Sequence, residues 1–207
     1  MTAVLLVHGM GRTPLSMWRL ARSLQRRGTP VQLFGYVAAW QTVEQITARL
    51  RLRIERMADG DYIAIGHSLG GLLLRAAVAS LPPDVRRPRR MIMLATPNRS
   101  PRLARRFERA WWYRLLNGDA GHLLAHDARM DAIPIAPVPC TVIAGTRGIH
   151  GRWSPFGLAA NDGLIAVDET ELAGAAEWIR VQARHPFIMN AAQVRKIVAD
   201  RCGGPPR

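Results

Sequence analysis

The segment GHSLGG, Gly66 to Gly71, sets a serine hydroxyl in a G-x-S-x-G frame. DYIAI before it reads as a strand, and LLLRAAVAS after it reads as a helix. A serine held on so sharp a strand-to-helix turn is strained and presents its hydroxyl outward, as nucleophilic attack requires. Gly66 and Gly70 spare the turn any Cβ, and Gly71 lets the helix pack close to a neighbouring strand. The free N–H groups at the helix start favour negative charge as it develops. The plainer alternative is a glycine-rich turn with a serine cap. A hydroxyl is a poor nucleophile without an adjacent base. Six histidines compete for that role: His8, His67, His122, His126, His150 and His185.

The elements that must position these groups follow from hydropathy. Apolar runs predict strands at Val4–Val7, Val31–Tyr36, Tyr62–Ile65, Met91–Ala95, Thr141–Ala144 and Trp178–Ala183. Between them, helices are expected from Pro14 to Arg27, stopped by Gly28, and after Thr42 as N-cap. In the second of these, Val43, Ile46, Leu50, Ile54 and Met57 recur every three or four residues. A third helix runs Leu69–Ser80, and a last one covers about 187–200 with Pro186 as its first residue. Residues 99–138 carry no strand signal and read as one or two inserted helices, and 146–162 as a long loop. Strands apolar on both faces and alternating with helices predict an α/β domain with a mostly parallel sheet. Ligands of such sheets sit beyond the carboxyl ends of the strands, which places His8, Ser68, Thr96 and the loops after 145 and 183 on one edge.

With these residues in view, the chain resembles an α/β-hydrolase, in particular the small bacterial lipases and esterases with a six-stranded minimal core. The resemblance runs from VLLVHGMG to the last helix. It implies a single domain over 1–207, about six mostly parallel strands, helices on both faces and a helical cap insertion at 99–138. In this family the triad runs serine, acid, histidine in chain order. That order implies Ser68 as nucleophile and His185, after the last strand, as base. His8 then has a structural place beside the oxyanion hole, and His67 points away from the serine. His122 and His126 fall in the insertion, and His150 precedes the acid. Asp162, in NDGLIAV, resembles the family's acid, ahead of Asp168 and Glu169 and further ahead of Asp127 and Asp131. Backbone N–H groups of Leu69 and Met10 would form the oxyanion hole. Two features depart from the pattern: His185 is flanked as Arg184-His185-Pro186, and the segment 146–160 is long for an acid loop.

The bulk composition bounds the rest. At 207 residues and 48% hydrophobic, the chain suits one domain with a sizeable core. No run of apolar residues is long enough for a membrane span, and MTAVLLVHGM lacks a basic leader region, which favours the cytoplasm. The two cysteines, Cys140 and Cys202, lack metal-ligand spacing and suit a reducing compartment. The net charge of +14 is almost all arginine, Lys196 being the single lysine, and it favours contact with anionic surfaces. No helix-turn-helix, RNA-recognition or zinc-finger signature accompanies it, so no specific nucleic acid is expected. In RSPRLARRFERAWWYRLLNG, residues 99–118, Arg102, Arg105, Arg106, Arg109 and Arg114 interleave with Leu103, Phe107, Trp111, Trp112 and Leu115. Three readings compete: a cap over an acyl pocket, a surface helix docked by Phe107 and Trp111, and peripheral contact with an anionic membrane. The expected activity is hydrolysis of a small-molecule acyl ester or lipid by Ser68, His185 and Asp162 through an acyl-enzyme, with no metal or organic cofactor. Thioester cleavage, acyl transfer by the same groups and a non-catalytic binding role are the alternatives. Oligomeric state is not legible in the sequence.

Overall fold

The computed structural model describes residues 2–203, apart from the side chain of Arg114, one of the insertion arginines named above. Six strands form one parallel sheet in the order β2-β1-β3-β4-β5-β6. They are β1 (Ala3–Val7), β2 (Val31–Phe34), β3 (Tyr62–His67), β4 (Arg90–Leu94), β5 (Cys140–Gly145) and β6 (Glu177–Val181). Leu6 of β1 lies beside Leu33 of β2 and Ile65 of β3. The inner strands are apolar on both faces because helices cover both faces. β6 alternates instead, with Trp178 and Arg180 outward, as a half-covered edge does. Its Glu177 pairs with Arg90 and Arg201, so the edge is charged rather than adhesive.

The helices divide by face. On one side α1 (Trp18–Gln25) and α7 (Ala192–Gly203) bury Leu20, Leu24, Val194 and Val198 against Leu6, Ile65 and Ile143. On the other, α2 (Val43–Glu55) and α3 (Leu69–Ala79) bury Ile46, Leu50, Leu72 and Leu73 against Leu5, Val7 and Ala64. Thr42 caps α2 as its sequence predicts: its hydroxyl accepts from Gln45 N at 3.2 Å and Gln45 Oε1 accepts from Thr42 N at 3.0 Å. The chain leaves β1 toward β2 but returns to β3 on β1's other flank and then runs outward to β6. The direction of winding therefore reverses between β1 and β3, and a crevice opens at their carboxyl ends.

Strand ends shift by one or two residues from the sequence reading, and three larger features differ from it. Pro14–Met17 is a 3₁₀ turn leading into α1. Pro186 does not open the last α-helix. It lies in a 3₁₀ turn, His185–Asn190, and α7 starts only after Ala191 takes an extended conformation (φ −63°, ψ 134°). Proline suits the first turn of either helix type, so its position alone does not distinguish them. The insertion holds three helices rather than one or two: α4 (Arg102–Phe107), α5 (Trp111–Ala125) and α6 (Asp127–Asp131). α5 bends at Gly118 (φ 52°), where a Cβ would come within 2.8 Å of the Ala38 carbonyl oxygen. Asp119, next to the bend, accepts from Val43 N at 2.8 Å and so joins the insertion to the start of α2. Among the described residues, no helix is long and apolar enough to cross a membrane.

Candidate active site

Ser68 sits between β3 and α3 with φ 51° and ψ −125°, a conformation few residues other than glycine adopt. Its N–H donates to Leu94 O at 2.8 Å, and its own carbonyl accepts from Gly71 N at 2.9 Å. The turn is this tight because its glycines touch backbone. A Cβ on Gly66 would strike the Gly71 backbone, and one on Gly70 would strike the carbonyl oxygens of Val7 and His8. Gly71 abuts the Thr96 side chain just past β4, which is the close helix–strand approach expected of it.

The structure brings Ser68, His185 and Asp162 together from three separate loops. His185 Nδ1 lies 2.7 Å from Asp162 Oδ2, and its Nε2 lies 3.0 Å from Ser68 Oγ. All three residues are buried. The other Asp162 oxygen accepts from Leu164 N at 3.0 Å and Ile165 N at 2.7 Å, which holds the group as an acceptor. Nδ1 of His185 therefore carries the proton and donates it to Asp162, leaving the Nε2 lone pair to accept the serine O–H. His185 N also donates to Asp162 O at 2.9 Å, so the two residues are joined through backbone as well as side chain.

Two residues outside the sequence-based set hold the histidine loop. Arg12 Nη2 donates to Pro186 O at 2.8 Å, and His67 Nε2 donates to His185 O at 3.0 Å. The sequence gives no signal of either, because each contact spans more than a hundred residues. His67 does not reach toward the serine hydroxyl; its ring packs 5.0 Å from the His185 ring. Its Nδ1 is buried without a partner, and burial holds its pKa well below the ordinary 6.5. His8 stacks on Tyr36 at 4.3 Å, accepts Tyr36 N at Nε2 and donates Nδ1–H to Gly9 O. Burial lowers its pKa too.

These neutral histidines carry a pH consequence. The unfolded chain takes up the proton first, so their stabilising contribution is complete above about pH 6.5 and is lost as pH falls below it. Denaturant unfolding at a series of pH values is expected to show this loss, at up to about 1.4 kcal/mol per pH unit for each histidine. His67→Asn should make the slope shallower, and a slope equal to the wild type's would refute the assignment to His67.

The rival acids are engaged elsewhere. Asp168 pairs with Arg102 at 2.6 Å. Glu169 accepts from Arg102 N at 2.7 Å and Ala166 N at 2.8 Å, and burial pushes its carboxyl up. Together they fix the start of α4. Asp127 lies 3.5 Å from Arg105. Leu69 is fully buried at the first position of α3, and Met10 is half-buried in the loop after β1. A Cβ on Gly9, in that loop, would lie 3.2 Å from Ser68 Cβ, so the loop runs alongside the Ser68 turn. From it opens a cleft of about 770 Å³, lined by His8, Arg12, Tyr36, Trp40 and Leu116 among others. Leu116 brings α5 to the cleft wall. Of the two residues expected to dock the insertion, Phe107 packs on the core but Trp111 is 75% exposed, and Tyr113 is buried instead.

Residues 4–201 match the model of the alpha/beta hydrolase family. The chain belongs to this family. Solved α/β-hydrolases share its fold at low identity. A lipase from Bacillus licheniformis, BlEst2 in mature form, superposes with a TM-score of 0.78 at 17% identity, covering 97% of this chain and 91% of that one. An extracellular alpha/beta-hydrolase from a Paenibacillus species gives 0.63 at 15%, covering 97% of each chain. The Vlm2 thioesterase domain gives 0.63 at 18%, covering 99% and 94%. Comparison with curated proteins finds no match in sequence.

Proposed function

We propose that the protein is a serine hydrolase of carboxylic esters. The observation that carries this reading is the continuous hydrogen-bond chain Asp162–His185–Ser68, ending on a serine in a strained turn. Ser68 Oγ attacks the ester carbonyl carbon while His185 Nε2 takes its proton. The imidazolium that forms is stabilised by Asp162 and passes the proton to the leaving alcohol. Water then attacks the acyl-enzyme with His185 again as base. The N–H groups of Leu69, at the start of α3, and of Met10 serve as oxyanion donors. No step needs a metal or organic cofactor. The acyl or alcohol part lies in the cleft beside His8 and Leu116, with the 99–138 insertion as its cap. On α5, Trp111, Leu115 and Leu116 are 62–75% exposed in a segment whose sequence is rich in arginine, which supports an ester substrate met at an anionic lipid surface.

A series of p-nitrophenyl esters from acetate to palmitate, compared in wild type and active-site variants, tests the reading and separates short-chain from long-chain preference. The lack of a detectable rate on any ester or thioester, with no labelling by a fluorophosphonate, would replace it with a binding role. Asp162→Asn keeps the shape but offers Nδ1–H no anion. It is expected to lower kcat by about 10⁴-fold. A loss below tenfold would show that another group orients His185.

A further inference from the structure

The insertion carries a second cluster of chemistry-bearing side chains, remote in role from Ser68. Glu108 follows α4, His122 lies in the last turn of α5, and His126 caps its end. The two histidines stand four residues apart with ring centroids 3.8 Å from each other, on one face of the helix. One ligand-type atom from each of the three residues lies within 4.8 Å of the others. The cluster borders a cavity of about 480 Å³ lined by Glu108, Arg109, Tyr113, Gly118 and His122. His126 and Glu108 are half-exposed, so an ion can reach them.

The arrangement around His126 suits a metal ion. Its Nδ1 faces His122 O at 2.8 Å and its Nε2 faces Glu108 Oε1 at 3.0 Å. A metal-free imidazolium donates to both acceptors, whereas a neutral ring with Nδ1–H on the carbonyl turns its Nε2 lone pair toward the carboxylate, as two ligands of one cation are turned. A ring nitrogen fixed by an Nδ1–H···O=C bond is also the arrangement metal-ligating histidines use.

We propose that Glu108, His122 and His126 form a site for a divalent transition metal of the zinc type, which joins the end of α4 to the end of α5. Two imidazoles and one carboxylate suit zinc, with water in the fourth position. Zinc bonds of about 2.0–2.2 Å put tetrahedral ligands roughly 3.4 Å apart, so rotamer adjustment opens the His126–Glu108 pair slightly and draws in the remaining ligand. One contact must yield. Arg129 Nη1 lies 3.0 Å from His122 Nδ1, and this guanidinium keeps Asp119 and Glu44 when it releases the ring. Arg109 and Arg129 place positive charge near the ion, which limits affinity to the micromolar range. The ion would brace the insertion one turn beyond the Gly118 bend that sets Leu116 on the cleft wall. It takes no part in ester cleavage.

The test uses the full, tag-free chain after chelator treatment. Zn²⁺ is titrated by calorimetry, and Co²⁺ by its visible absorption. One equivalent of Zn²⁺ is expected to bind, and at a hundredfold excess over Kd it should raise Tm by roughly 5 °C. His122→Ala/His126→Ala should weaken binding by at least about tenfold. Glu108→Gln, which keeps shape and removes charge, should weaken it severalfold, so the inference does not depend on the double variant folding. Binding weaker than about 1 mM in the wild type would overturn it. So would wild-type affinity in Glu108→Gln and in the double variant, since the ion would then sit elsewhere.

Discussion

Ser68→Ala is expected to reduce ester hydrolysis by a factor on the order of 10⁵ to 10⁶, while the protein stays folded. The size follows from the covalent step. Without Oγ, no acyl-enzyme forms, and what remains is whatever rate oxyanion donors and binding give to water. Removing the hydroxyl takes away one hydrogen bond, to His185 Nε2, and no packing of consequence. Matched melting temperatures with a collapsed rate would therefore assign the loss to chemistry. The fluorophosphonate reaction provides a second readout: wild type should be labelled once, and Ser68→Ala not at all. Comparable hydrolysis by both proteins would remove Ser68 from the mechanism and the proposed function with it.

Gly70→Ala is expected to be among the most damaging single methyl additions in the chain. The new Cβ would point at two carbonyl oxygens, those of Val7 and His8. Val7 ends β1, which is bonded to β2 on one side and β3 on the other, and His8 follows it directly. Neither oxygen can move without shifting a central strand, so relief by rotamer change is not available. Overpacking against side chains costs about 1–3 kcal/mol, and against fixed backbone the upper end or more is expected. Urea unfolding should show a loss of at least about 3 kcal/mol, or the variant should fail to accumulate in folded form. A stability within about 1 kcal/mol of wild type would mean that α3 can slide away from β1. Gly71→Ala meets the Thr96 side chain instead, and Thr96→Ala removes the hydroxyl and methyl groups it would strike.

How much of this was legible in the sequence depends on the range of the interaction concerned. The strands were legible because each is a short apolar run, and the inner ones are covered on both faces. The turn at Ser68 was legible because its residues form a local pattern within six positions, although what confines Gly70 and Gly71 is the distant end of β1 and Thr96. His185 came from the chain order of a family and Asp162 from the likeness of NDGLIAV to that family's acid segment, since nothing adjacent to either shows that they meet. Arg12 and His67, which hold the histidine loop, escaped for the same reason. The insertion was misjudged in number because its helices part at Ala110 and His126, in extended backbone that neither glycine nor proline marks. The start of the last helix was misjudged because proline suits either helix type.

The peptide units on both sides of His185 are bound by three segments far apart in the chain. Its N–H is held by Asp162, its carbonyl by His67, and the next carbonyl by Arg12. Those anchors belong to the loop before the last strand, the end of the third strand and the loop after the first. A loop latched to so many parts of the sheet has no cheap local opening of its own. Its amides belong to the cooperative unit that exchanges with solvent only when the whole domain unfolds. The proposed catalytic apparatus and the fold should therefore fail together on heating, without an inactive but folded intermediate between them.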